Sequence, residues 1–207
     1  MNTQQSRDHW QNVYKTKGPE QVSWTQEIPQ TSLRFMEELH IGPDASVIDV
    51  GGGDSKLADH LLKLGFENIT VLDISEAAIQ RAQQRLGKDA DKVRWIVSDV
   101  CDFEPEGSYD VWHDRAAFHF LTEAAQLEKY RHIAREAVRG YMIMGTFSED
   151  GPTKCSGLDI RQYNADTLRA ALTADFEKIR CITEDHETPF GTTQNFLFCS
   201  FRKIPAA

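Results

Sequence analysis

The sequence predicts an α/β fold: a mostly parallel sheet with helices on both faces, preceded by a helical N-terminal cap. Three observations predict it. From about Ser46 onward, apolar runs alternate with amphipathic stretches, the pattern of strands joined by crossover helices. The first run leads into the turn Gly51-Gly52-Gly53. Successive runs then carry an acid at or just beyond their ends, at Asp49, Asp73, Asp99 and Asp114, and open α/β sheets bind ligands outside the carboxyl ends of their strands.

The elements follow in order. Residues 1–40 hold Trp10, Tyr14 and Trp24 without a strong strand and are interrupted by Gly18, Pro19 and Pro29; they read as a helical cap on a domain spanning 41–207, the whole forming one structural domain. Residues 46–50 are a short buried strand, and 55–64 a helix with Leu57, Leu61 and Leu64 on one face, ended by Gly65. Strand two is 68–72. Ser75 caps a helix running through Ala78, Ala82 and Leu86 to Gly87. Strand three is 93–97, strand four 109–112, and a helix fills 122–138. Strand five is 141–147, followed by a polar loop over 148–162. A helix near 165–172 leads to two β-rich segments, 176–184 and 194–201, spaced as a hairpin.

Composition narrows the function. The chain has 207 residues, 40% hydrophobic and 27% charged, ordinary values for one globular domain. Its 32 acids outweigh 23 Lys and Arg, a formal charge of −9, which argues against nucleic acid as a partner because phosphate binding needs concentrated positive charge. No apolar run approaches the ~20 residues of a membrane span, and residues 1–10 are polar, so the expected location is cytoplasmic and no membrane partner is expected. The cysteines, Cys101, Cys155, Cys181 and Cys199, form no CxxC pair and read as reduced thiols. The 7 histidines show no pair at metal-ligand spacing, so no metal is expected.

A strand running into a glycine turn and then a helix lets a ligand approach backbone amides and a helix N-terminus, a nucleotide-binding geometry. A dinucleotide fingerprint starting at Gly51 needs glycine where Lys56 stands, and the Gly-Lys-Ser/Thr of a phosphate-binding loop never occurs. Asp73 lies after strand two, where an acid can accept hydrogen bonds from both ribose hydroxyls of a nucleoside.

These residues resemble the class I S-adenosylmethionine-dependent methyltransferases: Asp49-x-Gly51-x-Gly53 is similar to their first motif and Leu72-Asp73-Ile74-Ser75 to their second. The resemblance implies a Rossmann-like, seven-stranded, mostly parallel sheet with an antiparallel edge, and S-adenosylmethionine as cofactor. It implies that Asp49, Gly51 and Gly53 approach the methionyl part, that Asp73 with Ile74 holds the ribose, and that Asp99 and Val100 face the adenine. Trp10, Tyr14 and Trp24 of the cap read either as closing over the cofactor or as packing the cap onto the sheet. The Asp/Asn-Pro-Pro-Tyr/Phe signature of nucleobase amino-group methyltransferases is absent; His113-Asp114-Arg115-Ala116 stands there. Residues 110–117 resemble the strand-four region of thiopurine and related thiol methyltransferases. With Val22-Ser23-Trp24, they also resemble methyltransferases of protein lysines.

Methyl transfer from an activated sulfonium requires mainly a nucleophile aligned and shielded from water. Candidate bases or orienters are His113, Asp114 and His119, although His119 reads equally well as a partly buried helix histidine and Asp114 with Arg115 could simply form an ion pair or caps. Cys155 in the loop after strand five, Tyr163 and His186 are candidates for the substrate side. The expected acceptor is a small molecule, a thiol or chalcogen slightly favoured, with protein lysine as the alternative and an inactive nucleotide-sensing module as a third.

Overall fold

The computed structural model describes residues 2–172 and 175–205; the outer limits drawn above at 1 and 207, and Thr173 and Ala174, lie outside the described residues. Two helices come first, α1 (Thr3–Thr16) and α2 (Gln30–Glu38). They are followed by β1 (Ser46–Val50), α3 (Leu57–Lys63), β2 (Asn68–Asp73), α4 (Glu76–Leu86), β3 (Val93–Val97) and β4 (Tyr109–Arg115). The rest of the chain forms α5 (Ala124–Ala137), β5 (Val138–Phe147), β6 (Lys154–Cys155), β7 (Leu158–Asp159), α6 (Ala165–Ala171), β8 (Phe176–Glu187) and β9 (Thr193–Lys203).

Seven strands form one Rossmann-like sheet in the order β3-β2-β1-β4-β5-β9-β8. β3 to β5 pair in parallel, whereas β9 is antiparallel to both β5 and β8. The strand order reverses between β1 and β4, which opens a crevice at their carboxyl ends. The central strands are buried on both faces because their apolar residues alternate between two cores. Trp112, Met142 and Met144 join Leu127, Tyr130 and Ala134 of α5 and Leu168 of α6 on one side. Val111, Ile143 and Val47 meet Phe35 of α2 and Leu57 and Leu61 of α3 on the other.

The N-terminal segment is fastened to the sheet by polar as well as aromatic contacts. Ser75 caps α4, accepting from the Ala78 N–H, and its hydroxyl donates to Gln11 Oε1 of α1 (3.0 Å), which also accepts from the Ala77 N–H (3.0 Å). One side chain of α1 thus satisfies an orphan donor at the start of α4. Trp10 packs edge-on against Trp24 and Phe120, with ring centroids 5.7 and 5.0 Å apart.

Several expectations are corrected. β4 continues three residues past Trp112, so His113 and Asp114 lie within the strand. The region read as a polar loop contains the short β6–β7 ladder, too brief for periodicity to reveal. β8 and β9 both run longer than expected, leaving only 188–192 between them. Cys181 and Cys199 are a disulfide, not free thiols: the antiparallel register sets them directly opposite each other, a relation between distant segments that spacing in sequence does not disclose. Cys101 and Cys155 are free and buried.

Candidate active site

The glycine turn sits at the switch point between β1 and β4. Gly51 has φ 67°, and a Cβ there would approach Ala117 Cβ to 2.7 Å, so conformation and packing both require glycine. The Gly51 and Gly52 amides are not bare as the sequence suggested; both donate to the Leu72 carbonyl, at 2.7 and 3.3 Å. Gly53 faces the Asp73 carboxylate, where a Cβ would lie 2.5 Å from Oδ2. It makes room for that acid instead of lining a cavity.

Two cavities meet at the turn. One, of about 140 Å³, is walled by Trp10, Tyr14, Trp24, Gly51, Asp73, Ile74, Asp99, Val100 and Cys155, with Phe120 and Leu121 from the turn after β4. The other, of about 460 Å³, is more polar and includes Asp49 and His113. Tyr14, Trp24, Gly51 and Arg115 line both. The first alone is smaller than the ~300–1,000 Å³ usual for a ligand site, but the two together fall within that range.

Asp73 is 6% exposed, and its Oδ1 accepts from the Ser75 N–H at 2.7 Å. Burial, with the charges of Asp49 and Asp54 adding to it, pushes its pKa up to about 7. A carboxyl whose folded pKa is raised stabilises the fold below its unfolded value, and that contribution is lost as pH rises through about 7. Ligand hydroxyls that donate to it need the ionised form, so affinity runs the other way. Binding of S-adenosylhomocysteine is expected to tighten roughly tenfold from pH 6 to pH 8 by calorimetry, the change in ionised fraction for such a pKa. Asp73→Asn should flatten this dependence apart from the slope due to the ligand's own amino group. An unchanged slope in the variant would exclude Asp73 as its source.

His113 is buried between two partners. With its proton on Nδ1, the ring donates to Asp49 Oδ1 (2.7 Å) and accepts from the Ser32 hydroxyl of α2 at Nε2 (2.8 Å). Asp49 Oδ2 is buried without a hydrogen-bond partner, an acceptor open to a donor from a ligand. Asp114 is fully buried. Its Oδ1 accepts from the Ala117 and Phe118 N–H groups, both at 3.0 Å, and its Oδ2 from the Tyr130 hydroxyl at 2.8 Å. The caps reading therefore describes its contacts, and no ion pair joins it to Arg115 among the described residues. Burial raises its pKa to about 6, against the lowering effect of those hydrogen bonds.

His119 is fully buried and stacked on Phe147 at 4.8 Å, outside both cavity walls. Burial and the nearby Arg115 charge push its pKa down to about 3, so the ring is neutral at physiological pH. Tyr163 is buried against Phe118, and His186 donates to the Ser23 carbonyl at 2.6 Å; neither is on a cavity wall. Cys155 is on the wall, its thiol pushed up to about 11 by burial, which opposes thiolate reactivity. Sequence reasoning missed Phe120 and Leu121 as wall residues and read Arg115 only as an ion pair or cap. A charged residue ending a buried strand was the available signal.

Residues 47–140 match the model of a methyltransferase domain. The chain is 26% identical over 154 residues to human EEF1A lysine methyltransferase 2, an alignment covering 69% of this chain and 65% of that protein. It is 28% identical over 148 residues to the bovine eEF1A lysine and N-terminal methyltransferase, covering 69% of this chain and 21% of the relative. The chain therefore spans only about a fifth of the length of that larger relative. Among solved structures, an S-adenosylmethionine-dependent methyltransferase from Anabaena variabilis superposes with a TM-score of 0.78 at 15% identity, covering 99% of this chain and 96% of that one. A protein of echinomycin biosynthesis, described for the conversion of a disulfide bond into a thioacetal group, gives 0.76 at 21% identity, covering 95% and 92%. The Burkholderia thailandensis 1,6-didemethyltoxoflavin N1-methyltransferase, solved with S-adenosylhomocysteine, gives 0.67 at 19%, covering 98% and 85%.

The fold is thus the one that S-adenosylmethionine-dependent methyltransferases adopt, and residues 47–140 within it match a methyltransferase domain. No helix among the described residues is long and apolar enough to cross a membrane.

Proposed function

We propose that the protein transfers the methyl group of S-adenosylmethionine to a small molecule, with a thiol or other chalcogen nucleophile slightly favoured. The observation that carries this reading is the aromatic enclosure of Trp10, Tyr14, Trp24 and Phe120 above the strand ends. An enclosed apolar wall excludes water and suits a compact acceptor. When bound, the cofactor supplies a methyl already activated on a sulfonium. Asp73 would hold its ribose and Asp99 with Val100 its adenine, while Asp49 Oδ2 would accept from its methionyl ammonium.

The protonation pattern supports the choice of nucleophile. Asp114 has three donors on its oxygens, and His119 lies outside both walls. A thiol with a pKa of ~8.5 is partly ionised at neutral pH, whereas a lysine at ~10.4 needs a base to remove its proton. The second reading, protein lysine methylation, is favoured by the names of the sequence relatives. A radiolabelled transfer assay on thiol, amine and basic-peptide panels is expected to label small thiols. Label confined to peptide lysine, with no thiol product at any pH, would replace this reading with the second.

A further inference from the structure

Arg115 is the last residue of β4 and stands where the two cavities join. Its Nη1 donates to the Trp24 carbonyl at 2.8 Å, and its guanidinium carbon lies 5.2 Å from the centre of the Phe196 ring of β9. Its Nε and Nη2 are buried without a hydrogen-bond partner. The other cations around the polar cavity are satisfied: Lys56 pairs with Glu27, and Arg85 grips Asp54 and Asp59 while Arg81 lies 3.9 Å from Asp54. Two acids contribute to the field at Arg115, Glu184 and Asp49; Glu184 is engaged by the Thr31 hydroxyl and Asp49 by His113 through Oδ1 only, and neither is hydrogen-bonded to the Arg115 Nε and Nη2. Arg115 forms no ion pair among the described residues.

Nε and one terminal nitrogen of a guanidinium form the edge that grips a carboxylate with two parallel hydrogen bonds. We infer that this free edge of Arg115 receives a carboxylate of the methyl acceptor, making the substrate class a small organic acid. The inference rests on the small-molecule reading above and narrows it. A carboxylate could also come from the methionyl end of the cofactor. The acceptor is favoured because the acids on the nucleoside side, Asp73 at the end of β2 and Asp99 just after β3, lie toward one edge of the sheet, whereas Arg115 leans the other way, onto Phe196 of β9. Its neighbours there include Trp24 and Cys155.

The test uses calorimetric titration of the full chain saturated with S-adenosylhomocysteine. The probes are small aromatic and aliphatic carboxylates, each paired with its own amide. At least one carboxylate is expected to bind ten times more tightly than its amide. That preference should vanish in Arg115→Met and fall in Arg115→Lys, which keeps the charge but loses the two-pronged edge, while affinity for S-adenosylhomocysteine stays within about twofold. No carboxylate preference in the wild type overturns the inference, whatever the variants do. So does a tenfold loss of S-adenosylhomocysteine affinity in folded Arg115→Lys with the carboxylate preference intact, which would give the edge to the cofactor. If Arg115→Met does not fold, the wild-type pairs and Arg115→Lys decide. The transfer panels judge the small-molecule reading separately: peptide-only labelling sinks that reading, and absence of a carboxylate preference sinks this one.

Discussion

Replacing Asp114 with alanine is expected to lower the unfolding free energy by more than ~3 kcal/mol. The substitution leaves two buried donors, the Phe118 amide and the Tyr130 hydroxyl, and the half-buried Ala117 amide without their acceptor, and each buried loss costs about 1–3 kcal/mol. Tyr130 also accepts from the Trp112 indole at 2.8 Å, so the damage reaches the core on one face of the sheet. For a chain of this size the melting temperature should fall by about 10 °C. Asp114→Asn is expected to melt much closer to the wild type, because its amide oxygen still accepts from both backbone amides and its nitrogen can donate to the Tyr130 oxygen. Thermal unfolding of both variants, with transfer rates, separates two roles. A stable Asp114→Asn that keeps its rate within tenfold describes an acid that holds the turn. A stable variant slowed a hundredfold or more describes a general base.

Removing residues 1–28 is expected to reduce methyl transfer by at least a hundredfold while leaving the sheet folded. The deletion takes Trp10, Tyr14 and Trp24 from the cavity wall and removes the Gln11 bridge to α4, opening the reacting centre to water and loosening alignment, losses that together reach several powers of ten. It leaves α2 and every strand in place. Circular dichroism should retain the sheet and helix signal, and a transfer assay measures the loss. Full activity in the truncated chain would show that the aromatic enclosure is dispensable and would remove the main support for a small acceptor.

Much of the fold was legible because its signals are local. The runs Val47-Ile48 and Val71-Leu72 are apolar, end at glycine or acid, and are followed by residues with helical spacing; each strand and helix can be read from a window of its own. The end of β4 was not legible for the opposite reason. His113, Asp114 and Arg115 look like a solvated loop, yet the first two are buried in the strand by partners far away in sequence, Ser32 and Asp49 for one and Tyr130 for the other. Polar residues in a core are paid for by contacts that no local pattern contains. The same holds for the site. Asp73, Asp99 and Gly51 were expected at the crevice from their place at strand ends, and they line a cavity there, but whether a side chain faces a cavity or a neighbour depends on tertiary packing. That packing took His119 onto Phe147 and left Arg115 at the junction of the cavities.

The bridge from Ser32 through His113 to Asp49 fixes where the cooperative unit begins. Two central strands hold a buried histidine and a buried acid, and the second ring nitrogen of that histidine is satisfied only when α2 supplies its hydroxyl, so the sheet and α2 must gain and lose structure together. α1 has no such claim on the strands: its polar ties run to the start of α4 and to Asp102 at the sheet's margin. The boundary between the part that can open by itself and the part that melts globally therefore falls after α1, ahead of the Ser23 and Trp24 carbonyls that His186 of β8 and Arg115 of β4 hold. An opening confined to α1 would admit and release ligands without loosening the strands that carry Asp49 and His113.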